Sequence, residues 1–153
     1  MAALGWVLCA PGPADAAEVP RFASLRAAEV NVRAGPGTQY PIAWVFLRRG
    51  LPVEVVAEFE HWRKVRDSDG AEGWVHRSLL SGRRSAVVRG EAIGVLYRDA
   101  DAASVPVAWV ESGVVADLLA CHGDWCRVVA AGLRGWIARA RLWGVYPAPD
   151  DGR

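Results

Sequence analysis

The feature that most limits what this chain can fold into is a repeat marked by tryptophan. Tyr40-Pro41-Ile42-Ala43-Trp44-Val45 resembles Val105-Pro106-Val107-Ala108-Trp109-Val110. Gly50, Trp62 and Val65 recur as Gly113, Trp125 and Val128, and Gly73-Trp74-Val75 recurs as Gly135-Trp136-Ile137. The spacing between copies shortens by a few residues along the chain, as it does when length changes fall in turns. Six tryptophans thereby form three pairs, and the chain is read as two homologous units. Its 153 residues leave room for two small domains and little else.

Each copy reads as short strands. Glu29 to Arg33 alternates polar and apolar residues and is stopped by Ala34-Gly35-Pro36-Gly37. Trp44 to Leu47 is apolar and ends at Arg48-Arg49-Gly50, and Val53 to Phe59 is rich in β-branched and aromatic residues. Trp62 to Arg66 returns alongside it, with Asp69-Gly70 as the next hairpin turn, and Glu72 to His76 is the last long strand before a single helical turn over 78–82. No amphipathic helix of useful length appears. About five short strands in so few residues make a small, strongly bent barrel.

Charge narrows the function classes. Eighteen Lys+Arg against 17 Asp+Glu leave a net charge of +1, which argues against nucleic-acid binding driven by bulk charge. At the N-terminus an apolar stretch, Ala2 to Ala10, is followed by Pro11-Gly12-Pro13 and Ala14-Asp15-Ala16-Ala17. This is the pattern of a secretory signal peptide over 1–17, cut after Ala16 or Ala17, although no Lys or Arg precedes the apolar stretch. The stretch is too short and too broken by proline to span a bilayer. Leu8 before Cys9 argues against lipidation, since such signals want a small residue there. The expected location is periplasmic or secreted, with no membrane span.

Asn31-Val32-Arg33-Ala34-Gly35-Pro36-Gly37-Thr38, Tyr40-Pro41, Gly50, Val53-Glu54-Val55, Trp62-Arg63-Lys64-Val65 and Gly73-Trp74-Val75-His76 together resemble the bacterial SH3 (SH3b) domain. The resemblance covers 24–82. The second copy, over 91–146, keeps the Trp and Gly skeleton but has Leu96-Tyr97-Arg98-Asp99-Ala100-Asp101 where the first has the Asn-Val-Arg-Ala-Gly-Pro pattern. The fold class that follows is all-β, two small SH3-like barrels in tandem, joined by a connector over 83–90 and followed by a disordered tail over 147–153. The resemblance implies a binding module of the cell envelope, of the kind that attaches to peptidoglycan or binds peptides beside a catalytic domain.

With Cys9 leaving in the signal, Cys121 and Cys126 remain, and an even pair in an exported chain reads as a disulfide. If Gly123-Asp124 is a two-residue turn, His122 faces Trp125 and Cys121 faces Cys126 across the strands. The same slots in the first copy hold Glu58 and Arg63, a cross-strand ion pair. Cross-strand Cβ spacing of about 4.5–5.5 Å is slightly long for a bridge but is adjusted by twist. The competing readings use Cys121, His122 and Cys126 as a metal or thiol site. Structural zinc wants four ligands and only three cluster, while His61 and His76 belong to the other copy. Cysteine–histidine catalysis needs an activated thiolate in a cleft, which no motif marks.

The remaining candidates are ordinary. Asp67 and Asp69 flank a turn, Gly35-Pro36-Gly37 lacks the residues of a phosphate loop, and Arg48-Arg49 reads as a solvated turn. Arg83, Arg84 and Arg89 make the connector locally cationic. Trp74 and Trp136, each after a glycine, are read as core residues. Tyr40, Trp44 and Trp62 are the candidate ligand groove, with packing of Trp44 between barrel and connector as the alternative. The chain is expected to be non-catalytic, without cofactor or metal, and monomeric. Its expected ligand is peptidoglycan or a peptide, and an envelope protein partner is the second expectation.

Overall fold

The structure is a computed structural model and describes residues 18–148. The signal-peptide segment, 1–17, and residues 149–153 of the expected tail lie outside the described residues. The first sheet contains β1 (Arg21–Leu25), β2 (Val30–Arg33), β3 (Ile42–Phe46), β4 (Pro52–Phe59), β5 (Trp62–Arg66), β6 (Glu72–His76) and β7 (Leu80–Ser81). The second contains β8 (Ser85–Val88), β9 (Gly94–Tyr97), β10 (Pro106–Val110), β11 (Val115–His122), β12 (Trp125–Ala130), β13 (Leu133–Ala138) and β14 (Leu142–Trp143). Single 3₁₀ turns, Arg77–Leu79 and Arg139–Arg141, precede the last strand of each. The strand orders, β3-β2-β6-β5-β4-β1-β7 and β10-β9-β13-β12-β11-β8-β14, are the same topology twice, all antiparallel, as the repeat predicts. Among the described residues no helix is long and apolar enough to cross a membrane.

The longest strand makes the bend. In β4 the register slips between Val55 and Ala57, and in β11 it slips between Leu118 and Ala120. One extra residue at each place kinks the strand, so its first half pairs with β1 or β8 while its second half carries the hairpin. Inside the first barrel lie Val30, Val32, Val53, Val55, Val65 and Val75; inside the second, Val88, Leu96, Val128, Ile137 and Leu142. β-branched side chains suit such small, pleated interiors.

The segment 83–90, expected as a connector, carries β8. Its Ala86 pairs with Ala116 and its Val88 with Leu142, so it is an integral strand of the second sheet. Likewise the first sheet begins at Arg21, ahead of residue 24. The turn between the barrels is therefore only a few residues long.

The two barrels touch through specific side chains. Trp143 takes the place that Ser81 has in the first copy, and its ring packs edge-on against Phe22 of β1 at 5.2 Å. Tyr146 stacks on Phe22 at 4.7 Å, and the Arg84 guanidinium lies 5.8 Å from the centre of the same ring. The buried Ser85 hydroxyl donates to the Gly50 carbonyl at 2.6 Å and lies 2.7 Å from the Ser24 hydroxyl, which donates to the Arg83 carbonyl at 2.6 Å.

Candidate functional site

Tyr40, Trp44 and Trp62 are not gathered into one groove. Trp44 pairs with Val32, a fully buried residue, so its indole is on the inner face. There it is half-buried, perpendicular to Phe46 at 6.0 Å and over the bare Cα of Gly73. Its neighbours belong to the barrel core, not to the connector. Trp62 pairs with His76, whose neighbour Val75 points inward, so Trp62 lies on the outer face, 5.4 Å from the His76 ring. Tyr40 is 40% exposed in the loop before β3; its ring lies against Gly35 and its carbonyl accepts from Arg33 at 2.9 Å.

The reading of Trp74 and Trp136 as core residues is overturned. Both are half-buried, and the inward positions beside them belong to Val75 and Ile137. The glycines are small for another reason. A Cβ on Gly73 would sit 2.4 Å from Val32, and one on Gly135 would sit 2.8 Å from Leu96, because the neighbouring strand crosses there. Strand alternation carried this signal: with Val75 inside, Trp74 has to face out.

The result is an outer aromatic face on each barrel. In the first, Trp62 and Trp74 flank His76, which is fixed by a 2.7 Å hydrogen bond to Ser78 Oγ. Trp74 is opposite Arg33 on one side and Lys64 on the other. Beyond it Glu72 accepts from Arg66 (2.9 Å) and pairs with Lys64 (3.2 Å), contacts that hold its carboxyl below the usual carboxylate range. In the second barrel Trp125 is perpendicular to Tyr97 at 5.7 Å, and Trp136 lies 6.0 Å from His122.

Trp44 and Trp109 are not equivalent, despite their matching motifs. Val30 pairs with Phe46 and Val32 with Trp44, whereas Gly94 pairs with Val110 and Leu96 with Ala108. The counterpart of Trp44 is Ala108, one residue before Trp109. A one-residue offset reverses the face, so Trp109 points outward and is 68% exposed. In the second interior Leu96 and Ile137 stand where the first has Val32 and Val75, beside Ala108 in place of the indole.

Cys121 and Cys126 are bonded, with Cα atoms 4.0 Å apart, and His122 faces Trp125 as the two-residue turn requires. Gly123 has φ 53° and Asp124 does not share the positive φ, which is the type II′ pattern. In the first barrel Glu58 and Arg63 hold the same slots, with a 3.0 Å ion pair that Arg21 joins at 2.5 Å. Arg84, the counterpart of Arg21, has Cys121 in the slot of that glutamate and donates to the Gly144 carbonyl at 2.9 Å. Among the described residues no group of three His, Cys, Asp or Glu side chains is arranged to hold a metal ion.

No curated protein matches the chain. Among solved structures it is similar to NlpC2 of Trichomonas vaginalis, at 12% identity and TM-score 0.38, over 84% of this chain and 49% of that one. It is also similar to NlpC1 of the same organism, at 13% identity and TM-score 0.39, over 91% and 51%, and to an NlpC/P60 family protein from Bacillus cereus, at 14% and 0.36, over 82% and 57%. The chain thus spans about half the length of these structures, and the likeness carries no argument about function. The bacterial SH3 domain family matches twice, at residues 26–82 and 90–144, one match on each barrel. With most of its length covered by the two matches, the chain belongs to the bacterial SH3 domain family.

Proposed function

We propose that the chain is a non-catalytic binding module of the cell envelope, exported to the periplasm or beyond, that recognises peptidoglycan or its stem peptides. Family membership supports a binding role, since bacterial SH3 domains are commonly wall-binding modules and not catalysts. The observation that carries the reading is the outer aromatic face, present on both barrels even though their loops differ. Aromatic side chains half-freed from the core are what binding surfaces favour. Tyr40 and Trp62 would contact ligand, and Trp44 would hold the strand beneath Tyr40. The disulfide supports an oxidising compartment, and it leaves neither Cys121 nor Cys126 as a thiolate for a Cys–His reaction.

Co-sedimentation with purified sacculi tests this. The full chain is expected to pellet, and Trp62→Ala with Trp125→Ala is expected to weaken binding about thirtyfold, each lost aromatic contact being worth on the order of 1 kcal/mol. Failure of the unmodified chain to pellet would remove peptidoglycan. A second reading, an adaptor for an envelope protein, is favoured by one observation. Edge strand β10 and the residue before it expose Val105, Val107 and Trp109.

A further inference from the structure

The cleft between the barrels gathers charge that the sequence scatters. Arg26 comes from the loop after β1, Arg48 and Arg49 from the loop before β4, and Arg83 from the turn between the sheets. Together they line a concavity of about 400 Å³, floored by Ser24, Gly50 and Ser85. Among the described residues the one carboxylate lining it, Asp117, is already paired with Arg83 at 2.8 Å. Arg48 donates to the Gly113 carbonyl at 3.2 Å, and that carbonyl carries no charge to offset it. Arg26 and Arg49 have no carboxylate within ion-pair distance among the described residues. Four guanidinium groups against one carboxylate leave a local surplus in a protein whose net charge is only +1.

Like charges held together in a concave site raise the local potential and concentrate an anion there. A single carboxylate would offset only one guanidinium, whereas a phosphate group carries up to two charges and accepts the paired N–H forks of arginine. The size suits a phosphate ester or a short polyphosphate. We propose that the inter-barrel cleft is a binding site for a phosphate-bearing anion, gripped by Arg26 and Arg49 with Arg48 and Arg83 beside them. Because the arginines come from the first barrel and the turn, while Val115 and Asp117 come from the second, the ligand ties the two barrels together.

The test is calorimetric titration of the full chain with sodium tripolyphosphate at low salt, beside co-sedimentation with phosphatidylglycerol and phosphatidylcholine vesicles. Arg26→Gln with Arg49→Gln should weaken tripolyphosphate binding at least about tenfold, the usual scale for losing charge-assisted hydrogen bonds. Arg127→Gln with Arg134→Gln removes the same net charge outside the cleft and should change binding less than about twofold. In amide spectra of the unmodified chain, tripolyphosphate should shift Gly50 and Ser85, a readout independent of how any variant folds. Tripolyphosphate binding with selective pelleting on phosphatidylglycerol assigns a lipid headgroup; tripolyphosphate binding without pelleting assigns a soluble phosphate ester. No tripolyphosphate binding, equal weakening by both double variants, or unmoved Gly50 and Ser85 amides would overturn the proposal.

Discussion

The Tyr146 hydroxyl, just past the last strand of the second barrel, donates a 3.1 Å hydrogen bond to Glu54 in β4 of the first. Burial, and then this bond, push the phenol from its ordinary 10.0 up to about 12. The folded protein therefore favours the protonated phenol. That contribution is fully present below pH 10 and is lost as pH rises towards about 12. Urea midpoints of the native chain and Tyr146→Phe should differ at neutral pH and converge across this window. A difference that stays constant through it would refute the coupling.

Opposite orientations of Trp44 and Trp109 give a paired prediction. Trp44→Ala empties a half-buried place above Gly73 and should cost about 2 kcal/mol, below the range for a fully buried tryptophan. Trp109→Ala removes an exposed side chain and should stay within about 0.5 kcal/mol. Equal losses on chemical denaturation would mean that the two strands share one register after all.

Opening the Cys121–Cys126 bridge should have a small effect, because it closes a loop with a sequence separation of only 5. Chain entropy for so short a loop amounts to about 2 kcal/mol. Cys121→Ala with Cys126→Ala should lower stability by about that much and leave the first barrel's transition unchanged. Thiol titration of the unfolded, unreduced full chain should find Cys9 alone.

The two hairpin turns invite improvement. Glu60 has φ 49° at the position where the second barrel has Gly123, and Ala131 has φ 49° just before Gly132 at φ 78°. Left-handed backbone costs a residue with a Cβ about 1 kcal/mol, and asparagine tolerates it better than alanine. Ala131→Asn should raise the thermal midpoint, with a gain of about 0.5 kcal/mol, and Glu60→Gly should be neutral or stabilising. A clear loss from Ala131→Asn would argue against an Asn-Gly type turn there.

Duplication, the all-β class, the hairpin register at Cys121 and Cys126 and the ion pair at Glu58 and Arg63 were legible in the residues themselves. Each rests on local chemistry: turn residues set the register of a hairpin, and cross-strand partners follow from it. Matching tryptophans were a poorer guide. A glycine before Trp74 points to a core residue, while strand alternation assigns the interior to Val75. The shared motif aligns Trp109 with Trp44, though the pairing of Leu96 with Ala108 is what puts the alanine inside.

Repeats, turns and alternation are short-range signals, and the two barrels with their hairpins follow from them alone. Only the folded chain shows that Trp44 faces in while Trp109 faces out, since that depends on how β3 pairs with β2 and β10 with β9. Tertiary structure also decided that residues 85–88 are a strand, that Trp143 and Tyr146 close over Phe22, and that Arg26, Arg48, Arg49 and Arg83 share one cleft. No local pattern encodes these meetings. They arise when the second barrel packs against the first, which brings loops distant in sequence to the same face.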